Sequence, residues 1–444
     1  MPQEPRIWLD GFPLSHPMGT GISTYARGFA RDLAANGARP GVLLGRAVPD
    51  RADAAEREVR LFDAAMREEH ERDPLRMPRR LWRMVTEARG AQALPVPPGM
   101  VDRRTAPPSA MRRFTPGNLP AGAELWNAHD LFGRSWLHLA LTGRFLKVRV
   151  RGEAPAAMHW MQPHPLAMPG VPNIHTLHDL IPLRLPWSNT DHKRLWLRTV
   201  RGIAQGADHI LAVSEHTRRE VISLLGVAED RVTTTWQAIP PPLPMAEGGL
   251  GLARLRGALG LEPGGYWLFL STVEPRKNIP RLLDAYYASG SARPLVIVGQ
   301  KGLFHEEQLR LLTEEGGTRT PDGMVRHLGY LPRLDVDTLL RHARALLFPS
   351  LHEGFGLPVA EAMQVGTPVL TSSTTSLPEV AGEAALLVDP TDTQAIAEGI
   401  RALDADDALC ARLGALGPAQ AARFGPERHQ ARLAAVHRRL GLLR

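Results

Sequence analysis

The chain has 444 residues, of which 22% are charged and 43% apolar, which excludes a disordered chain and allows two or three domains with substantial cores. Its net charge of +7 fits an anionic substrate, an acidic membrane or a nucleic acid without choosing among them, and no apolar run reaches the roughly 18 residues of a spanning helix. Cys410 is the only cysteine, so no internal disulfide or cysteine-built metal site is expected. With an N-terminus (Met1-Pro2-Gln3-Glu4-Pro5-Arg6) that lacks a signal-peptide pattern, this points to the cytoplasm.

Ile7-Trp8-Leu9-Asp10 reads as a first strand. Gly19-Thr20-Gly21-Ile22 then leads into a helix expected from Ser23 to about Asn36, with Tyr25, Phe29, Leu33 and Ala34 at helical spacing. Strand, glycine turn and helix make a mononucleotide-type beginning, although Thr24 stands where a third glycine of a dinucleotide loop would be. Residues 46–120 are irregular. Nine arginines but only two acids, Glu87 and Asp102, lie between Arg76 and Arg113, and prolines at 95, 97, 98, 107, 108 and 116 argue for loops. This stretch is expected to be either a solvated insertion or a face that docks on anionic lipid or a lipid-diphosphate acceptor.

Order returns at Ala123-Glu124-Leu125-Trp126-Asn127-Ala128-His129. Ile174 to Leu177 is a strand with His178-Asp179 at its C-terminal end, where open α/β sheets bind ligands. A histidine there can exchange protons near neutral pH, and a neighbouring carboxylate can set its charge. Ile210 to Val213 is another strand, and Ser214 suits the N-cap of the helix that follows. Val232 to Trp236 is a late strand, and the proline- and glycine-rich stretch from Gln237 to Gly251 marks a linker.

Tyr266 to Val273 is a buried strand, followed by Glu274-Pro275-Arg276-Lys277-Asn278 and a helix from Pro280 to Ala288. Two adjacent cations at a strand end can clamp a diphosphate, arginine as a bidentate fork and lysine as a compact charge. Pro294 to Gly299 is the next strand, and Arg326 to Leu331 precedes a helix expected near Asp335. Asp335-Val336-Asp337 has the form of a metal-binding pair but is read as helix capping. Ala345 to Phe348 is a strand, Glu353 to Leu357 a glycine-bracketed turn, and Val359 to Val365 a helix opened by Pro358 and closed by Gly366.

This last unit suits an anion. Gly354 and Gly356 allow close backbone approach, and the helix N-terminus favours a pyrophosphate. Glu353 and Glu361 flank that place about 10 Å apart by helical rise. That exceeds the roughly 5–9.5 Å of a glycosidase pair. It suits a molecule with hydroxyls at both ends and phosphates between, a nucleotide sugar. Val369 to Thr371 follows as a strand, and Thr375 to Glu379 is expected on the far side of the pocket. Asp392 to Leu403 reads as a helix, and a last helix begins near Pro426 with Ala431, Leu433, Val436 and Leu440 on one face.

Gly329-Tyr330-Leu331, Phe348-Pro349-Ser350, Glu353 to Pro358, Glu361-Ala362-Met363 and Pro378-Glu379-Val380 together resemble the ordered motifs of retaining glycosyltransferases of family 4. The resemblance implies a GT-B fold, an α/β architecture of two Rossmann-like domains whose parallel sheets face each other across a cleft. Residues 1–240 would bind the acceptor, 252–425 the donor, and 426–444 would form a helix crossing back. It implies catalytic roles for His178 and Glu353. It implies donor contacts from Gly19, Gly21, Arg276, Lys277, Tyr330, Leu331, Glu353, Gly354, Phe355, Gly356, Leu357 and Glu361, the last on the ribose.

Asp179 and Ser214 are expected as cleft neighbours. His178 fits better than His175, because His178-Asp179-Leu180 matches the motif; His175 and His129 remain candidate neighbours. Ser271 stands where some members have a further arginine. No metal and no cofactor are expected, only a nucleoside-diphosphate sugar, GDP-mannose ahead of UDP- and dTDP-sugars. That preference rests on similarity to bacterial mannosyl- and rhamnosyl-type members. The implied activity is retaining hexosyl transfer to a hydroxyl of a saccharide or lipid-linked saccharide in polysaccharide synthesis. It would occur in the cytoplasm or peripherally on the inner membrane face through residues 76–113, with no nucleic-acid partner. A sugar-nucleotide epimerase of the same fold and a non-catalytic sugar-nucleotide binder stay as alternatives. The first needs acid/base groups and no acceptor site; the second has no use for His178.

Overall fold

The computed structural model describes residues 4–15, 21–48, 90–96, 123–188, 192–244, 250–302, 305–309, 320 and 322–443. Gly19 lies outside them, as does the arginine-rich stretch 76–113 apart from 90–96. Two sheets organise the chain. The first contains β1 (Arg6–Asp10), β2 (Arg39–Leu44), β3 (Ala91–Pro95), β4 (Glu124–Asn127), β5 (Leu146–Val150), β6 (Ala157–Trp160), β7 (Leu166–Ala167), β8 (Asn173–Leu177), β9 (His209–Ala212) and β10 (Val232–Thr234). Their order is β10-β9-β8-β6-β1-β2-β4-β3-β5-β7. Every pairing is parallel except that of β3 with β4.

The second sheet contains β11 (Trp267–Leu270), β12 (Leu295–Val298), β13 (Val325–His327), β14 (Ala345–Phe348), β15 (Val369–Ser372) and β16 (Leu386–Val388). It is wholly parallel, in the order β13-β12-β11-β14-β15-β16. Its central strands read as unbroken apolar runs because helices cover both faces: all four residues of β14 and of β12 are buried. The helices Ile279–Ser289 and Thr393–Ala405 pack on one another, as do Leu357–Gln364 and Asp407–Ala421. Among the described residues no helix is long and apolar enough to cross a membrane.

The two sheets are tied by backbone and side chain. The last helix, Pro426–Arg439, lies against the first, Gly21–Ala35. Its buried face differs from the apolar stripe expected. Leu433 and Val436 are buried, but Ala431 is exposed, and His429 and His437 take the remaining inward places. They can do so because each finds a partner on the first unit: His429 Nδ1 bonds Asp32, and His437 Nε2 lies 2.9 Å from His159 Nε2. At the far end, the Glu379 carboxylate accepts the N–H groups of Glu215 (2.9 Å) and His216 (3.2 Å) and the indole N–H of Trp236. Glu379 therefore caps a helix of the first unit instead of lining the far side of the pocket, where it was expected. An acid at a helix N-terminus gains from the unpaired N–H groups and the dipole.

Other boundaries shift locally. Pro95 closes β3 beyond its pairing with β5, which ends at Ala93; a loop was expected there. The linker ends earlier than Gly251, at a helix Leu250–Gly257. The helix expected near Asp335 begins at Arg333, and neither aspartate caps it. Asp335 pairs with Arg254 at 2.7 Å and Asp337 with Arg333 at 2.7 Å. Arg254, 81 residues away, takes the Asp335 carboxylate, and Arg333, one turn back on the same helix, takes that of Asp337.

Candidate active site

A cleft of about 1010 Å³ runs between the two units. On the second unit it is lined by residues that follow β11, β12 and β14 at their C-terminal ends, with the helix Leu357–Gln364. This is where parallel sheets expose backbone and unpaired helix N-termini. Gly356 precedes that helix at φ 100°, a conformation that only glycine adopts readily, and no side chain caps the helix. A Cβ on Gly356 would also stand 2.5 Å from Leu377 Cδ2.

Glu353 lies in the floor of the cleft, 6% exposed. Its Oε1 receives Lys277 Nζ at 2.6 Å and Ser350 Oγ at 2.7 Å, and its Oε2 receives Arg276 Nη1 at 2.9 Å. Burial by itself would raise this carboxyl, but Arg276 and Lys277 outweigh burial and hold it at about 2. Arg276 also pairs with Glu274 at 3.1 Å, and Lys277 lies 5.0 Å above the Phe348 ring. The two cations expected at the donor diphosphate and the glutamate expected at the donor sugar thus form one charge cluster. The two positive charges of Arg276 and Lys277 are matched by the carboxylates of Glu353 and Glu274, so a bound diphosphate would share these cations with the protein's own acids.

Glu361, on the helix Leu357–Gln364, accepts from Arg333 Nη1 at 2.5 Å. Burial raises the Glu361 carboxyl, and Arg333 opposes the rise. Tyr330 lines the same side and is 58% exposed; Leu331 lies beside it. Gly354, Phe355, Gly356 and Leu357 complete this wall, and Ser271 also lines the cleft.

The first unit supplies the opposite wall: Gly21, Arg27, Arg31, His178 and Asp179 among others. His178 follows β8, and its Nε2 donates to the Met161 carbonyl at 3.0 Å. A carbonyl only accepts, so Nε2 carries the proton and Nδ1 is an acceptor. Burial depresses His178 to about 4, so the imidazole is neutral. Tyr25 meets it edge-on at 5.0 Å. Asp10, at the end of β1, accepts the Met161 N–H, so it helps fix the residue whose carbonyl holds His178. Burial raises Asp10 to about 7. Asp179 lines the cleft, accepts from Ile181 N at 3.0 Å, and is raised by burial against the pull of Arg276.

Three expected neighbours lie elsewhere. Ser214 caps the helix Glu215–Leu225 by accepting from Thr217 N, and only its neighbour Val213 lines the cleft. His175 is buried and stacked on Trp160 at 6.1 Å. His129 Nδ1 is 2.8 Å from the Val48 carbonyl. Local strand-end reasoning fails here because alternate residues of a strand face opposite sides, and a cap position satisfies its own helix first.

The sequence reading missed Arg27, Arg31, Arg333 and Asp10. Arg27 and Arg31 share one helix face, opposite the buried Tyr25 and Phe29; the signal was that polar face, which a helical pattern assigns to solvent. Arg27 Nε is buried without a partner. A second hollow of about 560 Å³ adjoins the cleft and is walled by Trp136, His164, Trp196 and Pro182. Phe12, Ile22, Gln162, His178, Asp179 and Arg276 line both spaces, so the two meet at His178 and Arg276.

Two parallel-sheet α/β units with a cationic cleft between them define a GT-B architecture. Residues 256–419 match the model for glycosyl transferases group 1, and residues 107–241 match that for glycosyltransferase family 4. The chain is 37% identical over 262 residues to the O-antigen chain mannosyltransferase B of Escherichia coli, covering 57% of this chain and 67% of that one. It belongs to the family 4-like glycosyltransferases. The serotype-specific mannosyltransferase WbdA of Escherichia coli is 32% identical over 254 residues, 56% of this chain and 31% of that protein. Sucrose-phosphate synthase from Thermosynechococcus elongatus superposes with a TM-score of 0.60 over 99% of both chains at 17% identity. HepE from Anabaena, solved with UDP and glucose, gives 0.61 over 98% of this chain and 99% of that one at 15% identity. These structural likenesses establish the fold.

Proposed function

We propose that the chain is a retaining hexosyltransferase that moves mannose from GDP-mannose to a hydroxyl of a saccharide or lipid-linked saccharide in surface-polysaccharide synthesis. The observation that carries the donor half of this reading is the Arg276–Glu353–Lys277 cluster at the mouth of an uncapped helix. The similarity to mannosyltransferases supports the sugar.

In this reading the diphosphate lies against Arg276, Lys277 and the N–H groups that begin the helix Leu357–Gln364. Glu361 accepts ribose hydroxyls, and Gly21, Tyr330 and Leu331 bound the nucleotide. Glu353, held ionised, accepts hydroxyls of the hexose. Its own cations then serve twice, fixing Glu353 and offsetting the charge that develops on the departing diphosphate. Such fixed protein charges do this work without requiring a metal ion.

The acceptor occupies the aromatic hollow, where Trp136 and Trp196 offer flat apolar faces to sugar rings. Its hydroxyl enters at the place shared by both spaces, beside neutral His178, whose Nδ1 accepts the hydroxyl proton as a hydrogen bond. Holding donor carbon and acceptor oxygen together is the main contribution to rate. An epimerase would have no use for this second hollow.

The test is a thermal-shift panel of GDP-mannose, UDP-glucose, UDP-GlcNAc, dTDP-rhamnose and free nucleotides on the wild type and Lys277→Ala. A donor at 100 times its Kd should add about 2.7 kcal/mol of stability. The expected result is a shift with GDP-mannose and GDP that the variant loses. NMR of the transfer product should then show the α anomer. A shift confined to another base replaces the donor; no shift with any nucleotide, with or without acceptor lipid, overturns the reading.

A further inference from the structure

Outside the cleft, His216 and Glu220 of the helix Glu215–Leu225 meet His352, which comes from the second unit just before Glu353. Their ligand atoms all lie within 4.8 Å of one another, and none of the three residues lines the cleft. His216 and Glu220 are four residues apart, so one helix face presents both. Glu220 Oε1 is 3.7 Å from His216 Nε2 and 3.6 Å from His352 Nε2, too long for hydrogen bonds. The two imidazoles meet edge-on at 5.3 Å.

Glu220 and His352 are buried, at 3% and 6% exposure, yet Glu220 Oε2, His216 Nε2 and His352 Nδ1 have no hydrogen-bond partner. Buried polar atoms with no partner require an explanation, and a bound ion is one. Arg184 holds Oε1 from outside at 2.6 Å and so orients the carboxylate while leaving Oε2 free.

We infer that His216, Glu220 and His352 form a binding site for a zinc-class divalent transition metal ion that bridges the two units. Two borderline imidazoles with one carboxylate make a ligand set that zinc takes, and three protein ligands leave one position for water. Around a tetrahedral ion with bonds of about 2.0–2.1 Å, neighbouring ligand atoms stand roughly 3.4 Å apart. Glu220 Oε1, which Arg184 also holds, already stands within a few tenths of an ångström of that spacing from both imidazole Nε2 atoms, and a small rotation of the carboxylate would bring the unpartnered Oε2 in. The ion would pin the loop that carries Glu353 to the first unit. Its role is a structural clamp, separate from donor binding.

Zinc binding is read without any donor, so its outcome is independent of the proposed transfer reaction. The tag-free full chain is stripped with EDTA, incubated with Zn²⁺, passed through a desalting column and assayed for metal by mass spectrometry. The expected result is one retained zinc per wild-type chain and background zinc in the His216→Gln/His352→Gln variant. Circular dichroism and Tm in EDTA establish that the variant is folded as the stripped wild type is. Added Zn²⁺ should raise the wild-type Tm by several degrees and leave the variant's unchanged. Co²⁺ should give visible bands in the wild type alone. Equal zinc in both proteins, assigning it to other histidines, or none in either, would overturn the site. Should the double variant not fold, Glu220→Gln is measured in its place against the same two outcomes.

Discussion

A Cβ built on Gly354 would lie 1.9 Å from the backbone carbonyl oxygen of His178. The residue after the cluster glutamate of one unit therefore touches the residue at the strand end of the other. Thr217 Oγ1 stitches the same seam, 3.2 Å from the His178 carbonyl and 3.3 Å from that of Gly354. This contact sets the distance between Glu353 and His178, and so, on the proposed reading, between donor and acceptor.

Gly354→Ala is expected to wedge the units apart. Overpacking of this kind costs about 1–3 kcal/mol of stability. Misplacement near 1 Å costs on the order of 100-fold in rate. Both are checked by Tm and by transfer kinetics; nucleotide affinity should change much less. Unaltered kcat would show that the seam does not set catalytic distance.

Glu353 governs stability in acid. Its carboxyl is held near 2, below the unfolded value of 4.5, so the stabilisation is full above 4.5 and fades as pH falls from there towards 2. A shift of that size corresponds to on the order of 3 kcal/mol. Glu353→Gln should lose stability at neutral pH and show a flatter Tm–pH profile across that window. A profile parallel to the wild type's would count against the cluster.

His178, depressed to about 4 by burial, should remain neutral through the physiological range. The unfolded chain binds this proton near 6.5, so its contribution to stability is present above 6.5 and lost as pH drops towards 4. His164, His175 and His437, depressed to about 3, 3 and 4 by burial, act with the same sign. Chemical denaturation at stepped pH should show stability falling below 6.5. The acid limb of kcat, by contrast, should carry no His178 step near 6.5. A limb at 6.5 that His178→Asn abolishes would assign a charged imidazole to the reaction.

Arg333 pairs with the buried Glu361, which on the proposed reading accepts ribose hydroxyls. Without it, burial alone would raise the carboxyl further. Arg333→Ala should therefore weaken nucleoside-diphosphate binding by about 10- to 100-fold, the size of a hydrogen bond to a charged group. Affinity should recover partly as pH rises. Calorimetry at two pH values decides it, and tighter binding in the variant would mean that Arg333 merely occludes the site.

The order of motifs from Gly329 to Val380 determined family and fold, because glycine turns, strand runs and helix punctuation are local patterns that survive without neighbours. That Glu353, Arg276, Lys277 and Glu361 would meet in one cleft was legible for the same reason. What they bind within the chain was not: Glu353 is partnered by Lys277, 76 residues away, and Arg333 reaches Glu361 across 28. Arg27 and Arg31 looked solvated until the second unit turned their face into a cleft wall. His429 and His437 looked too polar for a buried helix face until Asp32 and His159 answered them. Local periodicity decides which element forms. Whether a polar group is buried, paired or aimed at a ligand depends on what another segment brings to it, because burial is tolerable only with a partner, and only the folded chain supplies that partner.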